Sequence, residues 1–148
     1  LQYHIYNILS GMFSLGGQTD RAIIEYAVQF DPVFDEIAYQ GVPDVRVIVY
    51  KGVPAMAMLR LPTQASDGKA NLHRGGVGVG IDLSTGRTLA GIQKNRYIDN
   101  HPETGKPLRD RQIPHWQSIV EMAAKLGDKT GFGYLGVDIV LDREKGPL

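Results

Sequence analysis

The sequence predicts an α+β domain, a mainly antiparallel sheet with flanking helices, on three observations. Two pairs of β-rich runs are each joined by a short glycine-containing turn, which makes hairpins. Two other segments repeat their apolar residues at helical spacing. The resulting order (one helix, five strands, a helix and a last strand) groups the strands instead of alternating them with helices.

Leu1, Ile5, Ile8, Leu9 and Met12 form the stripe of an N-terminal amphipathic helix, stopped by Gly16-Gly17. Ala22 to Phe30 is rich in β-formers and is expected to be a strand, before Pro32, Gly41 and Pro43 interrupt the chain. Val45 to Tyr50, the turn Lys51-Gly52 and Val53 to Leu61 make the first hairpin. In it Arg46, Ile48 and Tyr50 share one face, and Val45, Val47 and Val49 the other. Pro62 to Gly76 is a polar loop long enough to be functional or disordered. Val77 to Leu83 and Thr88 to Ile92 flank Ser84-Thr85-Gly86 as a second hairpin. Asp99 to Pro114 is again polar, and Pro114 sits where a helix begins. Trp116, Ile119, Val120, Ala123, Ala124 and Leu126 are that helix's buried stripe, ended by Gly127 or Gly131. Tyr134 to Leu141 is the last strand, with a turn at Asp142 to Gly146 and a partner strand expected after Leu148. An unpaired edge there invites self-association.

Composition narrows the function. The 148 residues suffice for one core, and 43% hydrophobic with 22% charged residues is ordinary for a globular domain. Lys plus Arg equals Asp plus Glu at 16 each, so nothing general favours nucleic acid or a membrane as partner. The absence of cysteine rules out disulfides and thiolate chemistry and fits a cytoplasmic location. The longest apolar run, Val53 to Leu59, is far too short to cross a bilayer. The start lacks a Met and a signal pattern, so the chain is expected to be excised from a longer one.

Several side chains invite chemistry. Gly75-Gly76-Val77-Gly78-Val79-Gly80 has no GxGxxG frame and leads into a strand, which favours close backbone approach over dinucleotide binding. Lys69, Asn71, His73 and Arg74 could hold phosphate oxygens or form a solvated loop. Arg46 and Arg60 either pair with carboxylates or face a ligand. Asp138, inside the apolar run Gly136 to Leu141, is paired, metal-bound or on an exposed face. The histidines lack zinc-ligand spacing, and neither a GxSxG elbow nor a GxxxxGK[ST] loop is present.

In order, Asp44-Val45-Arg46-Val47-Ile48-Val49, Met58-Leu59-Arg60, Asn71-Leu72-His73-Arg74-Gly75-Gly76 and Gly136-Val137-Asp138-Ile139 resemble the ATP-grasp domain of RimK-type glutamate ligases. Ile8 to Gly17 and Tyr39 to Asp44 resemble the alpha-L-glutamate ligase-like group within it. The resemblance implies ATP-dependent activation of a carboxylate to an acylphosphate. An amino acid, glutamate, then attacks it to form an amide with a peptide or small-molecule acceptor. It implies ATP and Mg²⁺ (or Mn²⁺) as cofactors. Glu25 and Val28 would then read adenine, and Asp44, Lys69 and Asn71 would contact nucleotide. Arg46 and Arg60 would face the phosphate or acyl phosphate, and Asp138 would be the first metal ligand. Lys69-Ala70-Asn71 departs from the family's Arg-Ser-Asn, losing a hydroxyl and a bidentate fork. Residues 1–148 are then a partial domain. The phosphate-binding Lys and Gly-rich loop would precede it, and a Glu and an Asn that complete the metal site would follow it. The alternative is a nucleotide-binding module without catalysis. A structural domain with merely solvated loops needs all four motifs to coincide.

Overall fold

Strict alternation decides the sheet. In the computed structural model, which describes residues 1–148, strand β1 (Asp44–Tyr50) buries Val45, Val47 and Val49 and turns Arg46, Ile48 and Tyr50 to the open face. β2 (Val53–Leu61) returns through Lys51-Gly52, and β3 (Val77–Ile81), β4 (Thr88–Gln93) and β5 (Arg96–Ile98) follow. Helix α2 (Trp116–Thr130) leads to β6 (Tyr134–Ile139), and the short pair β7 (Leu141–Asp142) and β8 (Gly146–Pro147) ends the chain. The six-stranded sheet has the order β5-β4-β3-β2-β1-β6, every pairing antiparallel. No helix is long and apolar enough to cross a membrane.

One core lies between the valine face of the sheet and α2, where Leu59, Leu61, Val77, Val79, Ile119 and Ala123 are sealed from water. Each large side chain buried there contributes roughly 1.5–3 kcal/mol. Phe34, Ile37, Leu108 and Ile113 reach the same core from irregular segments. Trp116 closes one end, its indole N–H donating to the Leu83 carbonyl at 2.9 Å. A Cβ on Gly86, which has φ +72°, would overlap the Trp116 ring at 2.4 Å, so the turn beneath the indole requires glycine. Gly131, at φ +69°, stops α2; Gly127 lies within it, pressed against Val49 and Gly52.

The expected strand over Ala22–Phe30 does not form. Ile23 and Ile24 are 83% and 73% exposed, and only Phe30 makes a bridge, to Asp142. β-formers favour a strand only where a sheet edge and a packed face receive them, and only the last residue of this segment, Phe30, finds both. Helix α1 (Gln2–Leu9) ends before Met12 and buries nothing. β3 stops at Ile81 because the Asp82 carboxylate accepts from the backbone N–H and hydroxyl groups of Ser84 and Thr85, winding a tight turn. β5 was not anticipated; Lys94 and Asn95, at φ 47° and 64°, make a two-residue turn of the type that suits hairpins. A short return begins at Gly146 and pairs with β7, and Val140 and Leu148 exchange two backbone hydrogen bonds. Within this chain β6 pairs only with β1, so its outer edge is open.

Asp142 ties the segment before β1 to this hairpin. It is 2% exposed, and its carboxylate accepts from the backbone N–H groups of Gln29, Glu144 and Lys145. Burial opposes its charge, but those donors and the Tyr26 hydroxyl outweigh burial and hold its pKa at about 2. That value lies below the ordinary ~3.9 of an unfolded Asp. The stabilisation is therefore complete above about pH 5 and is lost as pH falls toward 2. Asp142→Asn should destabilise the full-length protein at pH 7, and the gap from wild type should close near pH 2. Urea denaturation across that range checks it; parallel stability curves would refute the role given to this carboxylate.

Candidate active site

Cross-strand register places four charged side chains together on the open face. Asp44 of β1 stands opposite Arg60 of β2, and Arg46 of β1 stands opposite Asp138 of β6. Paired residues point the same way, so the sheet itself assembles the cluster. Arg60 forks onto Asp44, with Nε–Oδ1 at 2.5 Å and Nη2–Oδ2 at 2.7 Å. Arg46 forks onto Asp138 with both contacts at 2.6 Å. Arg60 Nη2 also reaches Asp138 Oδ2 at 2.8 Å, joining the two forks.

The forks differ in environment. Side chains of the Arg60–Asp44 pair are 13% and 15% exposed, against 37% and 42% for Arg46–Asp138. Burial pushes the Asp44 carboxyl up, more strongly than Arg60 lowers it, and the negative Asp138 adds to the rise. At Asp138 burial also opposes ionisation, but the Arg46 fork and the Arg60 charge prevail and hold the carboxyl below its usual range. Arg46 is held more basic than usual chiefly by its hydrogen bonds to Asp138. Burial disfavours the Arg60 charge, yet Asp44 and Asp138 together more than compensate.

Beside this cluster an open pocket of ≈ 540 Å³ is lined by Asp44, Arg46, Arg60, Lys69, Asn71 and His73 among others. The polar loop that forms its wall is ordered by its own hydrogen bonds. Thr63 donates through its hydroxyl to the Gly75 carbonyl at 2.9 Å, and Ser66 accepts from the Thr63 backbone N–H at 2.9 Å. The Asn71 side-chain oxygen accepts from the His73 backbone N–H and caps a short 3-10 turn, Leu72–Arg74. The Asn71 amide nitrogen makes no bond within the protein, and Lys69 makes no ion pair. Such a wall offers uncommitted donors to an anion.

Five of the expected site residues (Asp44, Arg46, Arg60, Lys69 and Asn71) therefore line one pocket, and Asp138 adjoins it through both arginines. Glu25 and Val28 are not among the lining residues, and they sit in the segment that formed no strand. Arg74 is exposed and lies outside the lining. Sequence reasoning did not foresee that Arg60 serves two aspartates, because that depends on the register of three strands.

A divalent cation has limited support from the protein itself. No group of three or more acidic or histidine side chains could hold one. Both oxygens of Asp138 and of neighbouring Asp44 are held by arginines, so Mg²⁺, which takes one or two carboxylates and draws its other ligands from phosphate oxygens and water, would have to displace a guanidinium. Asp138, on the more exposed of the two forks, is the carboxylate that could be released to a metal arriving with a nucleotide.

The model of a family described as sugar-transfer associated ATP-grasp matches residues 1–148. The chain belongs to that family. Comparison with curated proteins and with solved structures gives no match. The ATP-grasp part of the resemblance is met, whereas the family matched is sugar-transfer associated and not RimK-type. ATP-grasp domains bind ATP, typically with Mg²⁺ or Mn²⁺, and the family generally works as ATP-dependent ligases. In this ATP-grasp chain the charged cluster and its pocket bring Arg46, Arg60 and Lys69 together on the open face of the sheet.

The two forks should respond differently to truncation. Arg60→Met leaves two carboxylates facing each other with one partner and should cost the full-length protein roughly 2–3 kcal/mol. Arg46→Ala breaks the more solvated fork and should cost under about 1 kcal/mol. Chemical denaturation of both variants checks the ranking; an equal or reversed cost would refute the division between anchor and movable fork.

Proposed function

We propose that this ATP-grasp chain carries the phosphate-facing half of a carboxylate–amine ligase that works through an acylphosphate. The observation that carries it is the placement of Arg46 and Arg60 in one pocket with Lys69 and Asn71, beside the Asp138 carboxylate. A carboxylate attacking the γ-phosphoryl group of ATP concentrates negative charge on the transferring oxygens. Preorganised cations there lower the barrier more than any other single device.

Each residue then has a distinct task. Asp44 holds the Arg60 guanidinium by two hydrogen bonds, so that the charge is positioned before substrate arrives. Arg46 is held by the more solvated fork, and exchanging Asp138 for a phosphoryl oxygen costs it little. Asp138 is the carboxylate offered to Mg²⁺, which when bound would neutralise phosphate charge and polarise the transferring group. Lys69 and the Asn71 amide reach further phosphate oxygens from the loop wall. Glu25 and Val28 remain candidates for adenine contact on the resemblance alone. On this reading the phosphate-gripping lysine and glycine-rich loop lie outside residues 1–148, so activity belongs to the full-length protein. The acyl group then passes to an amine. Glutamate is the first donor to test, and the sugar-transfer association of the family adds amino sugars and sugar acids to the panel.

A second reading, a nucleotide-binding module without catalysis, draws on one observation. Both arginines are already neutralised by aspartates, and Lys69-Ala70-Asn71 lacks the hydroxyl of the related segment. ADP release by the full-length protein with Mg²⁺-ATP separates the two. The ligase should release ADP only when one carboxylate and one amine are supplied together. Asp138→Asn and Arg46→Ala should each lower that rate by about 100-fold or more. ATP binding without dependent release across the panel would leave the module as the reading.

A further inference from the structure

Asp99 to Pro114, the second long polar stretch, takes no part in the pocket lining, yet it holds one of the most enclosed polar side chains in the protein. His101 is 1% exposed and sits after β5 in a turn closed by its own backbone. The His101 N–H donates to the Lys106 carbonyl and the Gly105 N–H to the His101 carbonyl, each at 2.9 Å. The His101 Nε2 lies 3.1 Å from the carbonyl of Pro62, the residue at which the loop of the pocket wall leaves β2. A carbonyl only accepts, so Nε2 carries the proton and donates. No other donor within the protein reaches that carbonyl, and Pro62 is itself buried. A buried carbonyl is costly to leave unpaired, so this one histidine has a specific task at the loop root.

The other side of the ring is held as well. Nδ1 faces the backbone N–H groups of Glu103 and Thr104, both at 3.4 Å, and the Glu103 carboxylate at the same distance. The second oxygen of that carboxylate accepts from the Gln64 backbone N–H at 3.0 Å. One turn after β5 therefore grips the loop at two points, Pro62 and Gln64. At the loop's other end the Gly75 carbonyl accepts from the Thr63 hydroxyl at 2.9 Å and from the Gln93 amide at 2.8 Å. Between those ends stand Lys69 and Asn71, which line the pocket. The grip at Pro62 and Gln64 takes hold of backbone, so it fixes where the loop runs whatever side chains the loop presents.

We propose that His101 and Glu103 are positioning residues of the candidate active site. They line no part of the pocket; they anchor the loop root so that Lys69 and Asn71 stand in its wall. This rests on reading that pocket as the phosphate site and adds to it the residues that hold the wall in place. A loop released from its root samples other positions, and affinity falls with the time it spends away. A loop in place about one-tenth of the time binds about tenfold more weakly.

The test uses the full-length protein and two readouts: hydrogen–deuterium exchange across residues 62–76, and calorimetric titration with Mg²⁺-ATP. His101→Leu fills the space without a donor, and His101→Gln returns an N–H near the place of Nε2. Glu103→Ala, at a side chain 20% exposed, carries the comparison if His101→Leu does not fold. In His101→Leu the loop amides should exchange at least about fivefold faster while β1 and β3 keep their protection. ATP should bind about tenfold more weakly, and His101→Gln should recover most of both losses. Glu103→Ala should move both readouts the same way, by about threefold. Unchanged loop exchange in His101→Leu and Glu103→Ala, a His101→Gln no better than His101→Leu, or a loosened loop with unchanged ATP affinity would overturn the positioning role. A wild-type protein that binds no ATP would sink the phosphate reading alone, because loop exchange needs no ligand and still judges the anchor.

Discussion

One irregularity in one hairpin governs the open face of this protein. Near the Lys51-Gly52 turn Tyr50 pairs with Val53 and Val49 with Pro54, but beyond a break between Ile48 and Val49 the register moves by one, so that Ile48 meets Met56. Carried forward without that break, the turn would set Asp44 opposite Leu59 and send Arg60 to the side of the valines. A one-residue slip reverses every side chain in a strand. Burying Val45, Val47, Val49, Leu59 and Leu61 on a single side therefore requires the irregularity, and the same shift delivers Arg60 to Asp44. Core packing and the charged cluster are two consequences of one register.

That coupling gives the cluster its uneven character. The apolar side demands a tight sheet, and β1 sits between β2 and β6, so its polar side chains meet partners from both neighbours. Asp44 and Arg60, more enclosed, act as a fixed strut; Arg46 and Asp138, toward the open edge strand, keep enough water to exchange partners. A resting state in which both guanidinium groups are paired protects the sheet from uncompensated charge. On the proposed reading it also places two cations where phosphate would compete for them. On the same face the side chains of Leu72 and Leu89 pack over the β3 glycines Gly78 and Gly80.

Legibility followed local chemistry. The valine alternation of β1, both glycine-turn hairpins, the helix from Trp116 and the polar loop from Pro62 to Gly76 were readable because their signals lie within a few residues of one another. The segment Ala22–Phe30 misled because β-propensity reports fit to a half-buried surface, and the only partner it finds is the Asp142 hairpin, more than a hundred residues away. β5 escaped notice because Lys94-Asn95 has no glycine, although asparagine tolerates the left-handed conformation such a turn needs. Of the site, Arg46, Arg60, Lys69, Asn71 and Asp138 were nameable from residue type and order. Their mutual pairing was not, since it depends on which strands become neighbours.

By itself the sequence determined which residues of β1 face the core, where the first hairpins turn, and which side chains carry charge, although Leu126, expected in the buried stripe of α2, is exposed. Those properties follow from side-chain chemistry and backbone period, and both are local. Tertiary structure alone decided that β6 lies beside β1 and that Arg60 bridges two aspartates. Each of these depends on inter-strand register, which is set by the packing of the whole core and is not carried by any short stretch of chain.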